Sequence, residues 1–137
     1  MAYEKFPVEV LTPDGKVFDD EVEQVSTRTT VGSIGVLAHH EPVLAMLDPA
    51  ELRLYKTETE VVRFAQAEGY MQFAETRLLL LVEEAHPPDE LDVAQLRDRL
   101  QEAERRLQES DEDSEKHRTA ERDRDRWQRF LEIAETA

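Results

Sequence analysis

The sequence predicts a β + α chain, a unit of short strands followed by a pair of helices, and three observations predict it. All four glycines and all six prolines fall at or before Pro88; these residues punctuate short strands, and their absence permits long helices. Before that point apolar residues alternate in twos, with turn signals about every ten residues, as in a sandwich or small barrel. Beyond it they step by threes and fours, as on the seam of a helical pair. The composition changes at Pro87-Pro88, which divides the chain into residues 1–88 and 89–137. Both parts are acidic, with net charges of −9 and −6, so the boundary rests on glycine and proline and not on charge.

The strands follow in order. Phe6 to Leu11 alternates, with Phe6, Val8 and Val10 on one face, and Pro13-Asp14-Gly15 is a turn signal. Val17-Phe18 and Val22 to Thr27 continue the pattern. Gly32-Ser33-Ile34-Gly35-Val36-Leu37-Ala38-His39-His40-Glu41-Pro42 reads as a strand that starts and stops on special backbone positions and sets a shaped loop at one end of a sheet. Val43 to Leu47, Leu52 to Tyr55, Val61 to Ala65 and Tyr70 to Phe73 come next, and Leu78 to Val82 closes the set. The four leucines 78–81 fit a buried helix fragment or a central strand; their brevity and neighbourhood favour the strand.

In the second part Val93, Leu96, Leu100, Ala103 and Leu107 form a heptad-like seam. Asp92 to Gln95 matches a capping box, with Asp89 a competing N-cap. Residues 109–115, five of them acidic, are too charged to bury and mark the turn between helices. On the second helix His117, Ala120, Arg124, Trp127, Leu131 and Ala134 share a face, with Phe130 beside it. An antiparallel hairpin sets Trp127 and Leu131 near the early part of the first helix. Each fully buried large side chain contributes about 1.5–3 kcal/mol, and few are available, so a marginal hairpin is expected.

The composition excludes several classes of function. A net charge of −15 with no basic patch argues against nucleic-acid backbones and anionic lipid as main partners. The absence of cysteine excludes disulfides, zinc–thiolate sites and thiol nucleophiles. No apolar run approaches the roughly 20 residues that span a bilayer, and the N-terminus lacks a signal-peptide pattern, so a cytosolic-side protein is expected. His39-His40 is a poor metal site, because adjacent residues point opposite ways on a strand and no carboxylate stands at ligand spacing. Gly32-Ser33-Ile34-Gly35 is not a nucleophile elbow, and neither a P-loop nor a dinucleotide fingerprint is present. An enzyme, a catalytic residue, a metal and a cofactor are therefore not expected. Arg118, Arg122, Arg124, Arg126 and Arg129 interleave with Glu121, Asp123 and Asp125. That pattern fits a salt-bridged exposed helix face, or a row of cations offered to an acidic partner when the helix swings out.

The strand-rich first part, the helical hairpin and the glycine stretch together resemble the epsilon subunit of F-type ATP synthases over nearly the whole chain. The family pattern G-x-x-G-[IV]-x-x-x-H-x-P matches Gly32, Gly35, Val36, His40 and Pro42. Its later glycine before a strand matches Gly69-Tyr70, and its Leu-Asp helix opening matches Leu91-Asp92, with Ala103-Glu104 further along. The resemblance implies a flattened ten-stranded β-sandwich followed by an antiparallel two-helix hairpin. It implies a non-catalytic rotor subunit of the central stalk, coupling proton-driven c-ring rotation to ATP synthesis from the cytoplasmic face of a bacterial membrane, or the stromal face of a plastid thylakoid. The sandwich would dock on the gamma subunit and the polar loops of the c-ring, with Ser33 and His40 on that contact edge. The hairpin would fold on the sandwich or extend into the alpha/beta catalytic head and restrain hydrolysis, bringing Arg118, Arg122, Arg126 and Arg129 to acidic surface there.

Three departures qualify it. Family members often carry Pro-Gly where this chain has Ala38-His39, so a less sharply turned loop is expected. A glycine pair before the later strand is reduced to Glu68-Gly69. Gln95 stands where ATP-binding members have an arginine, which removes a phosphate partner, so no nucleotide site is expected. The competing classes are an acidic cytosolic adaptor that probes partners with its hairpin, and an ATP-sensing module.

Overall fold

The computed structural model describes residues 3–136. Ten strands form one hydrogen-bonded ladder: β1 (Phe6–Thr12), β2 (Gly15–Val22), β3 (Gln24–Thr29), β4 (Gly32–Val36), β5 (Val43–Leu47), β6 (Ala50–Tyr55), β7 (Val61–Gln66), β8 (Gly69–Ala74), β9 (Arg77–Val82) and β10 (Ala85–His86). A 3-10 turn over Pro88–Glu90 leads to α1 (Val93–Glu109) and α2 (Glu115–Thr136). The chain divides into two compact units, Met1–Pro87 and Pro88–Ala137.

In the first unit the strands run β10-β7-β6-β3-β5-β8-β9-β1-β2, with β4, among the described residues, attached to β3 alone. A single residue pair, Thr29 with Leu47, joins β3 to β5. The ladder folds over at that joint, so Val25, Leu52, Leu54 and Phe64 from one layer meet Val8, Val10, Met71, Phe73, Leu80 and Val82 from the other in one core. Alternation made this legible: β1 buries Phe6, Val8 and Val10, the three residues its pattern assigns inward. Leu78 to Leu81 lie on a central strand, β9, which pairs β8 antiparallel and β1 parallel. Two boundaries differ from the pattern. Val22 closes β2 and does not open β3, because the Glu23 N–H turns to the Tyr55 carbonyl, 2.7 Å away. β10, only two residues long, carries no alternation to read.

The fold point needs a polar fastening. Gln66 is wholly buried; its amide nitrogen donates to the carbonyls of Asp48 (2.7 Å) and Ala67 (3.1 Å), and its oxygen accepts from the Thr27 hydroxyl. Gly69 is fixed by close approach, since a Cβ there would stand 2.0 Å from the Leu81 carbonyl oxygen.

The hairpins are closed by two kinds of turn. Thr12 to Gly15 and Thr29 to Gly32 repeat one design: the threonine hydroxyl accepts from the N–H two residues on and donates to the glycine carbonyl. Both glycines have positive φ, 127° and 139°, which a side chain would resist. The β8–β9 turn instead places Glu75 (φ 54°) and Thr76 (φ 58°) in left-handed conformation. A two-residue loop with both φ positive has the form of a type I′ turn, which favours Asn-Gly, and a β-branched residue there is strained. Replacing Glu75-Thr76 by Asn-Gly is expected to raise stability by about 1–2 kcal/mol, read as a higher urea midpoint at unchanged slope. An unchanged midpoint would show that no strain resides in this turn.

In the second unit Asp92 caps α1, its carboxylate accepting from the Gln95 N–H at 3.1 Å, while Asp89 lies in the preceding 3-10 turn. Ser114 caps α2, its hydroxyl accepting from the His117 N–H at 3.1 Å, so the acidic residues 111–113 stay in the connecting loop. Arg106 reaches Asp123 (2.9 Å) and Arg97 reaches Glu135 (3.6 Å), which sets the helices antiparallel. Buried residues are Leu96 and Ala103 on α1 and Ala120, Phe130 and Ile133 on α2.

Candidate docking surfaces

The glycine stretch folds as β4 plus a turn. Ser33 is exposed on β4, opposite Arg28 of β3 and next to the Thr30-Val31 hairpin tip. His40 lies beyond the other end of β4, half-buried, its ring edge-on to Phe73 at 6.0 Å. The two residues therefore flank one sheet edge but are not brought together. His40 Nδ1 donates to the Glu41 carbonyl (2.7 Å). His39, the next residue back, pairs instead with Glu4 at 2.7 Å.

The loop is sharper than the missing Pro-Gly suggests. The His40 N–H donates to the Leu37 carbonyl at 3.0 Å, closing a four-residue turn. Neither Ala38 nor His39 has positive φ, so the turn is of the kind that needs no glycine. Ala38 is buried in the core, and that packing holds the turn in place.

Alternation concealed a second surface. Leu44 (74% exposed), Met46 (55%), Tyr70 (52%) and Leu81 (46%) are large apolar side chains facing water. The register aligns them: Met46 pairs Tyr70, and Tyr70 pairs Leu81, in one row across β5, β8 and β9. Leu44 and Leu79 lie in the next row, on either side of Gln72. An apolar row of this kind marks an interaction surface rather than ordinary scatter. The signal was present in the sequence as unbroken apolar runs, 43–47 and 78–82, in which both strand faces are apolar.

The arginines of α2 are engaged in this conformation. Arg118 pairs with Glu115 (2.8 Å), Arg124 with Asp125 (3.1 Å) and Arg129 with Glu132 (3.1 Å). Arg126 and Arg99 lie against the Trp127 ring, 5.3 Å and 4.9 Å from its centre; Arg122 is likewise engaged. The buried face of α2 sits one position round from the expected one: Phe130 and Ile133 are buried, whereas Trp127 and Leu131 are half-exposed. Phe130 and Trp127 meet edge to face at 5.9 Å, and the Arg99 guanidinium covers the indole that the seam expected inside. Among the described residues no group of three or more His, Asp or Glu could hold a metal ion.

Phe130→Ala removes the largest buried side chain of the hairpin. It is expected to cost the helices about 3–5 kcal/mol and lower their melting transition while the β-sheet signal melts unchanged. Concerted loss of both signals would show that the units are one cooperative body.

The comparisons agree with this architecture. Residues 5–88 match the family model for the ATP synthase delta/epsilon chain β-sandwich domain. The ATP synthase epsilon chain of Sulfurihydrogenibium sp. (strain YO3AOP1) is 33% identical over 129 residues, covering 94% of this chain and 96% of that one. That of Persephonella marina is 36% identical over 130 residues, with the same coverage. A chain from the Euglena gracilis mitochondrial ATP synthase assembly of OSCP, F1 and c-ring superposes with a TM-score of 0.80 at 24% identity, over 98% of this chain and 83% of that one. At that identity the likeness is one of fold.

Proposed function

The chain belongs to the ATP synthase epsilon-chain family, and from that premise we propose that it is a non-catalytic rotor component that couples c-ring rotation to the catalytic head. The observation that carries the reading is the exposed row Met46–Tyr70–Leu81 with Leu44, a surface that calls for a permanent partner. The gamma subunit is the partner we assign to it. The β4 edge with Ser33 and His40 is assigned to the polar loops of the c-ring, and the complex alone holds the chain at the cytoplasmic face of the membrane. Among the described residues no helix is long and apolar enough to cross a membrane.

The hairpin is the regulatory element of the same reading. Its two helices bury only five side chains between them, two of which are alanines, so the closed form has a small margin that partners can overcome. On opening, Arg118, Arg122, Arg126 and Arg129 exchange their present partners for acidic surface on the alpha/beta head. Because each is already engaged, the exchange is between similar contacts and stays reversible. Gln95, whose own backbone N–H completes the Asp92 cap, offers no cation to a nucleotide, and we assign none to the hairpin.

Two measurements test these assignments. Met46→Glu with Tyr70→Glu is expected to abolish co-purification with the gamma subunit while leaving the melting curve of the free chain nearly unchanged, since both side chains face water. Retention of the double variant in the complex would remove the apolar row from the interface. Deleting residues 89–137 within the assembled enzyme is expected to raise ATP hydrolysis several-fold; unchanged hydrolysis would dismiss the restraining role.

A further inference from the structure

The free edges of the sheet are not alike. β2, at one end of the ladder, carries Lys16, Asp19, Asp20 and Glu21, and β10, at the other, is two residues long. Charge and brevity are ordinary ways to keep a foreign strand away. β4 has neither a charge nor a proline: it reads Gly-Ser-Ile-Gly-Val and, among the described residues, pairs β3 alone.

Register decides which of its groups are available. Ile34 and Val36 stand opposite Thr27 and Val25, both buried, and so face the core; Ser33 and Gly35 stand opposite Arg28 and Ser26 on the outer face. The outward side chains are thus small, and nothing bulky shields the main chain beside them. The hairpin closes on the pair Thr29–Gly32, and hydrogen-bonded pairs alternate along an antiparallel ladder. Gly32, Ile34 and Val36 therefore bond toward β3, while the N–H and C=O groups of Ser33 and Gly35 point to the open side.

We propose that β4 receives an extended segment of a neighbouring subunit as an additional strand, held by the main-chain groups of Ser33 and Gly35. The segment is polar and either uncharged or basic, because the chain it approaches carries a net charge of −15. The same charge disfavours a second copy, whose five-residue edge offers no apolar surface to offset the repulsion. The inference rests on the rotor reading above, in which the polar loop of the c-ring is that segment, and it adds that recognition runs through the backbone.

Amide hydrogen exchange on the free chain and on the assembled enzyme tests it. The amides of Ser33 and Gly35 are expected to exchange fast in the free chain and at least about tenfold more slowly in the assembly, with Ile34 slow in both. Gly35→Pro removes one outward donor and spares the β3 ladder, as proline on an edge strand can, and is expected to weaken retention roughly tenfold. Gly35→Ala keeps the donor, and its Cβ would meet only the Gln24 side-chain nitrogen at 3.7 Å, so retention should stay near that of the parent. Equal weakening by both variants overturns backbone recognition, as do Ser33 and Gly35 amides whose exchange does not slow on assembly. If Gly35→Pro fails to fold, exchange in the parent chain decides alone. A chain that never enters the complex overturns the rotor reading and the pairing with it, whereas entry with unprotected amides overturns the pairing only.

Discussion

The side chain of Gln66 is the fastening on which the first unit depends. A buried amide must find its partners inside the protein, and Gln66 finds three: Thr27 on β3, Asp48 between β5 and β6, and Ala67 between β7 and β8. These lie where the ladder passes from one layer to the other through the single pair Thr29–Leu47. Apolar packing alone tolerates small slips of register, because one methyl contact resembles another. A satisfied buried amide does not, since each orphaned partner costs about 1–3 kcal/mol. The position of the fold point, and with it the faces that β5 and β8 turn to solvent, follows from this network.

With the layers fixed, the outside of the sandwich divides into surfaces of different character. Across β6 and β7, Arg53 and Arg63 stand directly opposite one another, a like-charge pair that Glu51 bridges. Burial would raise the Glu51 carboxyl, but hydrogen bonds from the two guanidiniums hold it below the usual range. That face closes on itself electrostatically. The face of β5, β8 and β9 instead leaves large apolar groups in water, and among the described residues no strand pairs with the open side of β4. The first face is self-sufficient, and the other two leave groups open that a partner can meet.

The helical unit follows a different economy. Its buried seam is thin, and much of what joins α1 to α2 is polar: Arg106 to Asp123, Arg97 to Glu135, and Arg99 over Trp127. Exposed ion pairs contribute little each and weaken with salt. Both helices are well capped, by Asp92 and Ser114. The helices are thus individually well begun and only loosely paired.

The sequence by itself determined the order of strands and helices apart from the two-residue β10, the inward face of most strands, the Asp92 cap and the turn between the helices. These depend on neighbours within a few residues: alternation, threefold and fourfold steps, glycine, proline and capping side chains. The tertiary structure decided what depends on residues far apart. Ala38 and His39 make a tight turn because Ala38 packs into the core, which no local pattern states. Phe130 and Ile133 take the buried face of α2 because the partner helix, with Arg99 over the indole, chooses which side of a broad apolar stripe to cover. Leu44, Met46, Tyr70 and Leu81 become one row only through the pairing of β5, β8 and β9. The stretch Gly32 to Pro42 shows both limits together. Its glycines and proline announced a special edge, but only the register with β3 shows that the edge faces outward through the main chain of Ser33 and Gly35.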